Sequence, residues 1–254
     1  MISVILYGAC GFMGKVVTET IAADPGIRIV AGVDAYGEQY ADYPLYRTID
    51  EVTEPADVII DFSTAAAVDR LIAYGVERMI PMVICTTGLS DEQISSIREA
   101  SENVAILRSG NMSLGNNLLL KLARDAAKTL YPNGFDPEII EMHHRRKVDA
   151  PSGTAIMLAD SVREGAGKPL TDTYGRADRR APRDPMEIGI SSVRGGTIVG
   201  VHDVLFAGQD EIIELKHTAN SRAIFAKGAV SAAKFLAQKG PGLYDMGDVI
   251  EASM

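Results

Sequence analysis

The sequence predicts an α/β protein: a Rossmann-like parallel-sheet domain, then a second α+β domain with a mixed, mostly antiparallel sheet. Three observations carry this expectation. In the first part of the chain, short apolar runs alternate with helical patterns, as in a parallel sheet with right-handed helical crossovers. Gly8, Gly11 and Gly14 fall where the first strand passes into the first helix. After SGNMSLG (109–115) the pattern changes, and β-like runs separated by glycine-rich turns follow.

Taken in order, ISVILYG reads as a strand and FMGKVVTETIAAD as a helix closed by Pro25-Gly26. IRIVAGVD is a second strand, ending on Asp34. Beyond a polar, tyrosine-rich stretch, DVIIDFS (57–63) is a buried strand and AAAVDRLIAYGVE a helix. PMVICTTG is a strand with a glycine turn, SDEQISSIREAS a helix with Ser90 as N-cap, and NVAILRS a further strand. A long helix over roughly 115–130 leads to the strand DPEIIEMHH, and another helix begins near Ser152. Residues 165–186 are polar and rich in Gly, Pro and Arg, which predicts a long loop. EIGISSV, TIVGVHDVLFA and EIIELKHTA read as strands, and a last helix over roughly 222–238 stops at Gly240-Pro241. The expected domains are 1–113, with 222–254 returning to it, and 114–221.

With 254 residues, 46% of them hydrophobic, the chain can bury a sizeable core. No run approaches the ~18–20 apolar residues of a membrane span. The start MISVILYGAC lacks the basic region and cleavage site of a signal peptide, so a cytoplasmic protein is expected, with no membrane partner. The two cysteines, Cys10 and Cys85, form neither a disulfide framework nor a CxxC pair. A net charge of −9 argues against nonspecific nucleic-acid binding.

The glycine turn is the first candidate site. Glycines there permit a tight turn and close approach of a pyrophosphate, while the helix N-terminus presents N–H donors. The spacing is G-x-x-G-x-x-G, a weak signal alone, strengthened by Asp34 at the end of the second strand, where a carboxylate can bind an adenosine ribose. The cofactor contacts expected from this turn are Gly8, Ala9, Cys10, Gly11, Phe12 and Met13, with Asp34. Two later strand ends, at Cys85, Thr86 and Thr87 and at Ser109, Gly110, Asn111 and Met112, should reach the same sheet edge. The expected cofactor is NADH and/or NADPH. A carboxylate at Asp34 repels a 2′-phosphate and Ala35 offers no cation, which favours NADH, although Arg47 lies in a segment that could fold back.

The second candidate is EMHHRRKVDAPSGTA, residues 141–155, where an acidic chain gathers His143, His144, Arg145, Arg146 and Lys147. On a strand, Glu141 and His143 share one face and His144 the other. Ser152-Gly153-Thr154 opens a helix and so a second anion-binding N-terminus. A solvated strand end, a zinc site and a nucleic-acid arm are the competing readings. Glu141, His143, His202 and His217 could converge, but no ligand spacing supports a metal, and none is expected. The basic run lacks aromatic interleaving. Following a nucleotide cradle, the segment reads best as a pocket for a small anionic substrate.

At these residues the sequence resembles the 4-hydroxy-tetrahydrodipicolinate reductase (dihydrodipicolinate reductase) family of the diaminopimelate route to lysine. The resemblance covers nearly the whole chain: the Gly8–Gly14 turn, DFST, CTTG, SGNMSLG, residues 141–155 and GLYDMGDVI. It implies reduction by a nicotinamide cofactor of a cyclic dicarboxylate with loss of water, and a homotetramer. By the same resemblance His143 is the proton donor and Lys147 a second donor or electrostatic partner. His144, Lys147, Gly153 and Thr154 would hold the two carboxylates. Three departures bear on the cofactor: Ala35 where the family often has Arg, Cys85 for the glycine of its G-T-T-G turn, and Met112 for an aromatic. A dehydrogenase acting on another small dicarboxylate and a non-catalytic NAD(H)-sensing regulator are the alternatives.

Overall fold

The computed structural model describes residues 1–177 and 179–253. The chain divides into two compact units, Met1–Leu114 with Ala223–Met254, and Gly115–Arg222.

The first unit begins with β1 (Ile2–Tyr7), α1 (Phe12–Ala22), β2 (Ile27–Val33) and β3 (Leu45–Tyr46). It continues through β4 (Val58–Asp61), α2 (Ala65–Arg78), β5 (Met82–Ile84), α3 (Asp91–Ala100) and β6 (Ala105–Arg108). The strands form a seven-stranded sheet in the order β12-β6-β5-β4-β1-β2-β3, completed by β12 (Gly242–Tyr244). Every pair in it is parallel. Such strands are buried on both faces, which is why VILY, VIID and MVI are near-continuous apolar runs. Val4, Leu6, Val58, Ile60 and Val83 pack on one face with Val17, Ile21 and the alanines of the later helix 223–236. Ile5, Ile59, Met82 and Ile84 pack on the other face with Val68, Leu71 and Ile97. Ser90 caps α3 in a reciprocal box with Gln93, as its S-x-x-Q sequence predicts.

The second unit takes most of α4 (Leu114–Leu130), then β7 (Asp136–His143), α5 (Gly153–Ala166) and β8 (Thr171–Tyr174). Three long strands follow, β9 (Glu187–Arg194), β10 (Gly200–Ala207) and β11 (Ile212–Ala219). Its sheet runs β11-β10-β7-β9-β8, with α4 and α5 covering one face through Leu119, Ala123, Leu158 and Val162. The sheet is mixed, as expected, with more parallel pairing than the strand pattern suggested. β10 is antiparallel to β7 and β11, whereas β9 is parallel to β7 and β8.

The long loop expected over 165–186 is corrected: α5 runs to Ala166 and β8 lies inside it. The polar run TDTY forms an edge strand with no fully buried residue, so it carries no apolar signature. Arg163 fixes its start by donating to the Leu170 carbonyl and the Asp172 carboxylate. Asp178, within that segment, and Met254 lie outside the described residues. The chain then returns to the first unit as α6 (Ala223–Leu236), β12 and α7 (Met246–Glu251). No helix among the described residues is long and apolar enough to cross a membrane.

Candidate active site

In the first unit β1 is flanked by β2 and β4, so the chain reverses direction across the sheet at this strand. In open parallel sheets, ligands bind beyond the carboxyl ends of the strands at such a point. Gly8 follows β1 with φ of +81°, and a Cβ on it would lie 2.5 Å from the Phe62 carbonyl oxygen. A Cβ on Gly14 would collide with the backbone oxygens of Gly8 and Ala9. Only glycine fits either position. Gly11 is the N-cap of α1 and contributes no side-chain cap, leaving a helix N-terminus shaped by backbone alone.

Asp34 ties this turn to the loop after β2. One carboxylate oxygen accepts from the Cys10 N–H at 3.0 Å, and the other from Tyr36 and Gly37 at 3.1 and 2.8 Å. Arg47 folds back onto the same loop, its guanidinium donating to the Gly37 carbonyl at 2.5 Å and reaching the Asp34 carbonyl at 3.5 Å.

A cleft of about 400 Å³ opens beside the turn. It is lined by Gly11, Phe12 and Met13, by Cys85, Thr86 and Thr87, and by Ser109, Gly110, Asn111 and Met112. Gly8, Ala9, Cys10 and Asp34 shape the turn without lining the cleft. Phe62, Ser63 and Phe225 also line it, and the sequence reading missed them. Phe62 and Ser63 were findable, because they follow β4 by the same strand-end rule that selected Thr86. Phe225 opens α6, far along the chain, and has no local signal. Burial raises the Cys10 and Cys85 thiols, keeping both protonated and poorly nucleophilic. Closed glycine positions, a backbone-only helix N-terminus and a cleft with hydroxyl and apolar walls together fit a dinucleotide.

In the second unit, β7 alternates regularly between half-buried and buried residues, which places Glu141 and His143 on the inward face. The neighbouring strands complete the cluster by register: His202 of β10 stands opposite Glu141, and Arg194 of β9 opposite His143. Glu141 is fully buried. Its Oε2 lies 2.6 Å from His143 Nδ1 and accepts from Arg194 at 2.8 Å. Its Oε1 accepts from Arg194 at 2.6 Å and from the Ser152 N–H at 3.2 Å. Ser152 caps α5 by accepting from Ala155 N–H at 3.2 Å, and its hydroxyl lies 3.0 Å from His202 Nε2. The His143 and His202 rings meet edge to face, 5.2 Å apart.

The electrostatics follow from this packing. Burial alone would raise the Glu141 carboxyl, but hydrogen bonds from Arg194, Ser192 and His143 outweigh it and hold the group at about 2. Burial lowers His143, opposed in part by Glu141. Burial brings His202 down to about 4, assisted by the neighbouring His143.

The remaining predicted residues lie on the segment that follows β7. Lys147 forms an ion pair with Asp149 at 2.8 Å and donates its N–H to the His144 carbonyl. Arg145 and Arg146 are exposed. Gly153 and Thr154 begin α5, and a Cβ on Gly153 would meet open space. Of the neighbours of Glu141, sequence reading took Ser152 only as the start of the helix and His202 only as a possible metal ligand, and it missed Arg194. Among the described residues no group of three or more His, Cys, Asp or Glu side chains is placed to hold a metal ion.

The first unit thus offers a cleft that fits a dinucleotide, and the second a buried imidazole tied through Glu141 to a helix N-terminus. A dinucleotide cleft at the carboxyl edge of a parallel sheet points to the class: a pyridine-nucleotide-dependent oxidoreductase. Within that class, the profile described as dihydrodipicolinate reductase, N-terminus, matches residues 2–112, and the corresponding C-terminus profile matches residues 115–250. The chain belongs to the dihydrodipicolinate reductase family. It is 49% identical over 251 residues to the 4-hydroxy-tetrahydrodipicolinate reductase of Caldanaerobacter subterraneus subsp. tengcongensis, covering 99% of each chain. It is 45% identical over 252 residues to the enzyme of that name from Clostridium novyi, again covering 99% of each. Among solved structures, the dipicolinate-bound dihydrodipicolinate reductase of a Paenisporosarcina species superposes with a TM-score of 0.82 at 26% identity, over 96% of this chain and 97% of that one.

Proposed function

We infer that the chain catalyses the NAD(P)H-dependent reduction of 4-hydroxy-tetrahydrodipicolinate to tetrahydrodipicolinate with loss of water, in lysine and diaminopimelate biosynthesis. The observation that carries this reading is the shared anchor of His143 and α5: a proton donor and an anion-binding helix end fixed to one buried carboxylate. When bound, the nicotinamide supplies the hydride. His143 delivers the proton that balances it, and Lys147, released from Asp149 by the anionic substrate, stabilises the charge that develops. His144, Lys147 and the N–H groups at Gly153 and Thr154 hold the two carboxylates, for which the open space at Gly153 leaves room.

Asp34 and Ala35 favour NADH, while Arg47, held beside the Asp34 loop, offers a cation within reach of a 2′-phosphate. NADH is accordingly preferred and NADPH remains usable. The family resemblance supports a homotetramer as the working assembly.

The direct test couples the upstream synthase to nicotinamide oxidation. Wild-type protein should oxidise NADH with a higher kcat/KM than NADPH, and Arg47→Ala should weaken NADPH alone. His143→Gln should lower kcat by about 10²–10⁴-fold with nucleotide affinity kept. Absence of turnover with either nucleotide defeats the assignment, and near-normal turnover of His143→Gln defeats the proton donor.

A further inference from the structure

The hydrogen bonds that Glu141 accepts lead to three different elements: His143 on β7, Arg194 on β9 and Ser152 at the start of α5. Buried ion pairs are poor sources of stability, because desolving two charges offsets most of their attraction. Well-packed apolar residues would serve this position as well if only folding were at stake. The donors that Glu141 gathers are not equivalent, either. One is the ring nitrogen of the proton donor; another is the backbone of the residue that caps the anion-binding helix.

We propose that Glu141, clamped by Arg194, is a positioning residue that fixes the ring and tautomer of His143 and, through Ser152, the start of α5. The proton donor and the carboxylate holder are thereby set from one point. The inference rests on His143 being the donor. The Glu141 carboxylate accepts from Nδ1, which places a hydrogen there and leaves Nε2, the nitrogen nearest Gly200, as the atom that takes up and delivers the proton. The charged and titratable groups facing the ring are Glu141 on β7, Arg194 on β9, His202 on β10 and Lys147, itself paired with Asp149, on the segment after β7. Glu141 is the group among these that favours the imidazolium. His202 adds a ring rather than a charge, since burial holds it neutral down to about pH 4.

The decisive experiment compares the pH profiles of kcat for Glu141→Gln and Arg194→Met with wild type. Glu141→Gln should lower kcat by about 10²-fold, keep KM for the nucleotide within about twofold, and move the alkaline limb to lower pH. Arg194→Met should move the same limb to higher pH, because a cation that opposes the imidazolium is gone. Glu141→Asp should restore the wild-type limb in part. Limbs that stay fixed, or that move the same way in both variants, overturn the proposal. A ¹⁵N-histidine titration reads the same ring without turnover: His143 should titrate lower in Glu141→Gln, and an unchanged value overturns the proposal. If wild-type protein shows no turnover but this titration shifts, the reductase assignment falls while the positioning role stands. Should Glu141→Gln fail to fold, wild-type protein must show an exchange-protected Nδ1–H signal that His143→Gln abolishes; its absence overturns the proposal.

Discussion

The helix N-termini of α1 and α5, the two proposed to meet anions, are built by opposite means. At α1 the chain uses backbone alone: Gly8 and Gly14 are wedged so tightly that no side chain fits, and the cap residue contributes none. At α5 the chain uses side chains: Ser152 caps the helix, Glu141 holds Ser152, and His202 meets its hydroxyl. The glycine at α5, Gly153, stands in open space. Glycine thus serves two purposes in one chain. In the first unit it satisfies the fold, and in the second no close contact requires it, which fits the proposed role of clearing room for a ligand. On the proposed reading, a diphosphate at α1 meets backbone N–H groups alone, whereas a dicarboxylate at α5 meets a donor, a cap and a proton held in register.

Substitution at Gly8 should separate the two most sharply. Gly8→Ala places a Cβ against the Phe62 carbonyl at a positive φ, so we expect a stability loss of about 2–4 kcal/mol and weakened NADH binding, read by thermal melts with and without NADH. Unchanged melting would show that the turn yields. Acid should next distinguish the units. His202 sits at about 4, against about 6.5 in an unfolded chain, so the unfolded state takes up its proton first. The stability it contributes is complete above pH ~6.5 and is lost as pH falls towards ~4, about 3 kcal/mol in all. Amide exchange in α5 should accelerate over that window more than in α1, and His202→Gln should flatten the response.

Two smaller effects sharpen the contrast further. Ser152→Ala should cost about 1–2 kcal/mol through the lost cap, together with a raised KM for substrate and none for nucleotide. Gly153→Ala should leave stability unchanged or higher by up to ~1 kcal/mol, yet raise KM for substrate. If Gly153→Ala instead melts early with KM intact, that glycine serves the fold after all.

The same division governs what the sequence made legible. The wholly buried apolar strands β4 and β5 and the Ser90 box carry local signals, and they appear where the pattern puts them. The two-residue β3 and three-residue β12 have no fully buried residue to mark them, and the six-residue α7 makes fewer than two turns. β8 escaped notice because an edge strand need bury nothing. In the site, His143 and Gly153 could be read from one contiguous run, 141–155. Arg194 and His202 reach Glu141 through strand register from β9 and β10, a relation that exists only after the sheet has formed.

That the first unit takes its last helices and strand from residues 223 onward has a consequence for how the chain is made. On a ribosome the second unit, 115–222, is complete before the first one is. Until α6 emerges, the sheet face formed by Val58, Ile60, Val83 and Leu107 lacks the alanine-rich cover of Ala226, Ala229 and Ala233. Until β12 emerges, β6 is an unpaired edge open to pairing with another chain. The nascent chain therefore carries a finished second unit and an unfinished first one until α6, β12 and α7 are added.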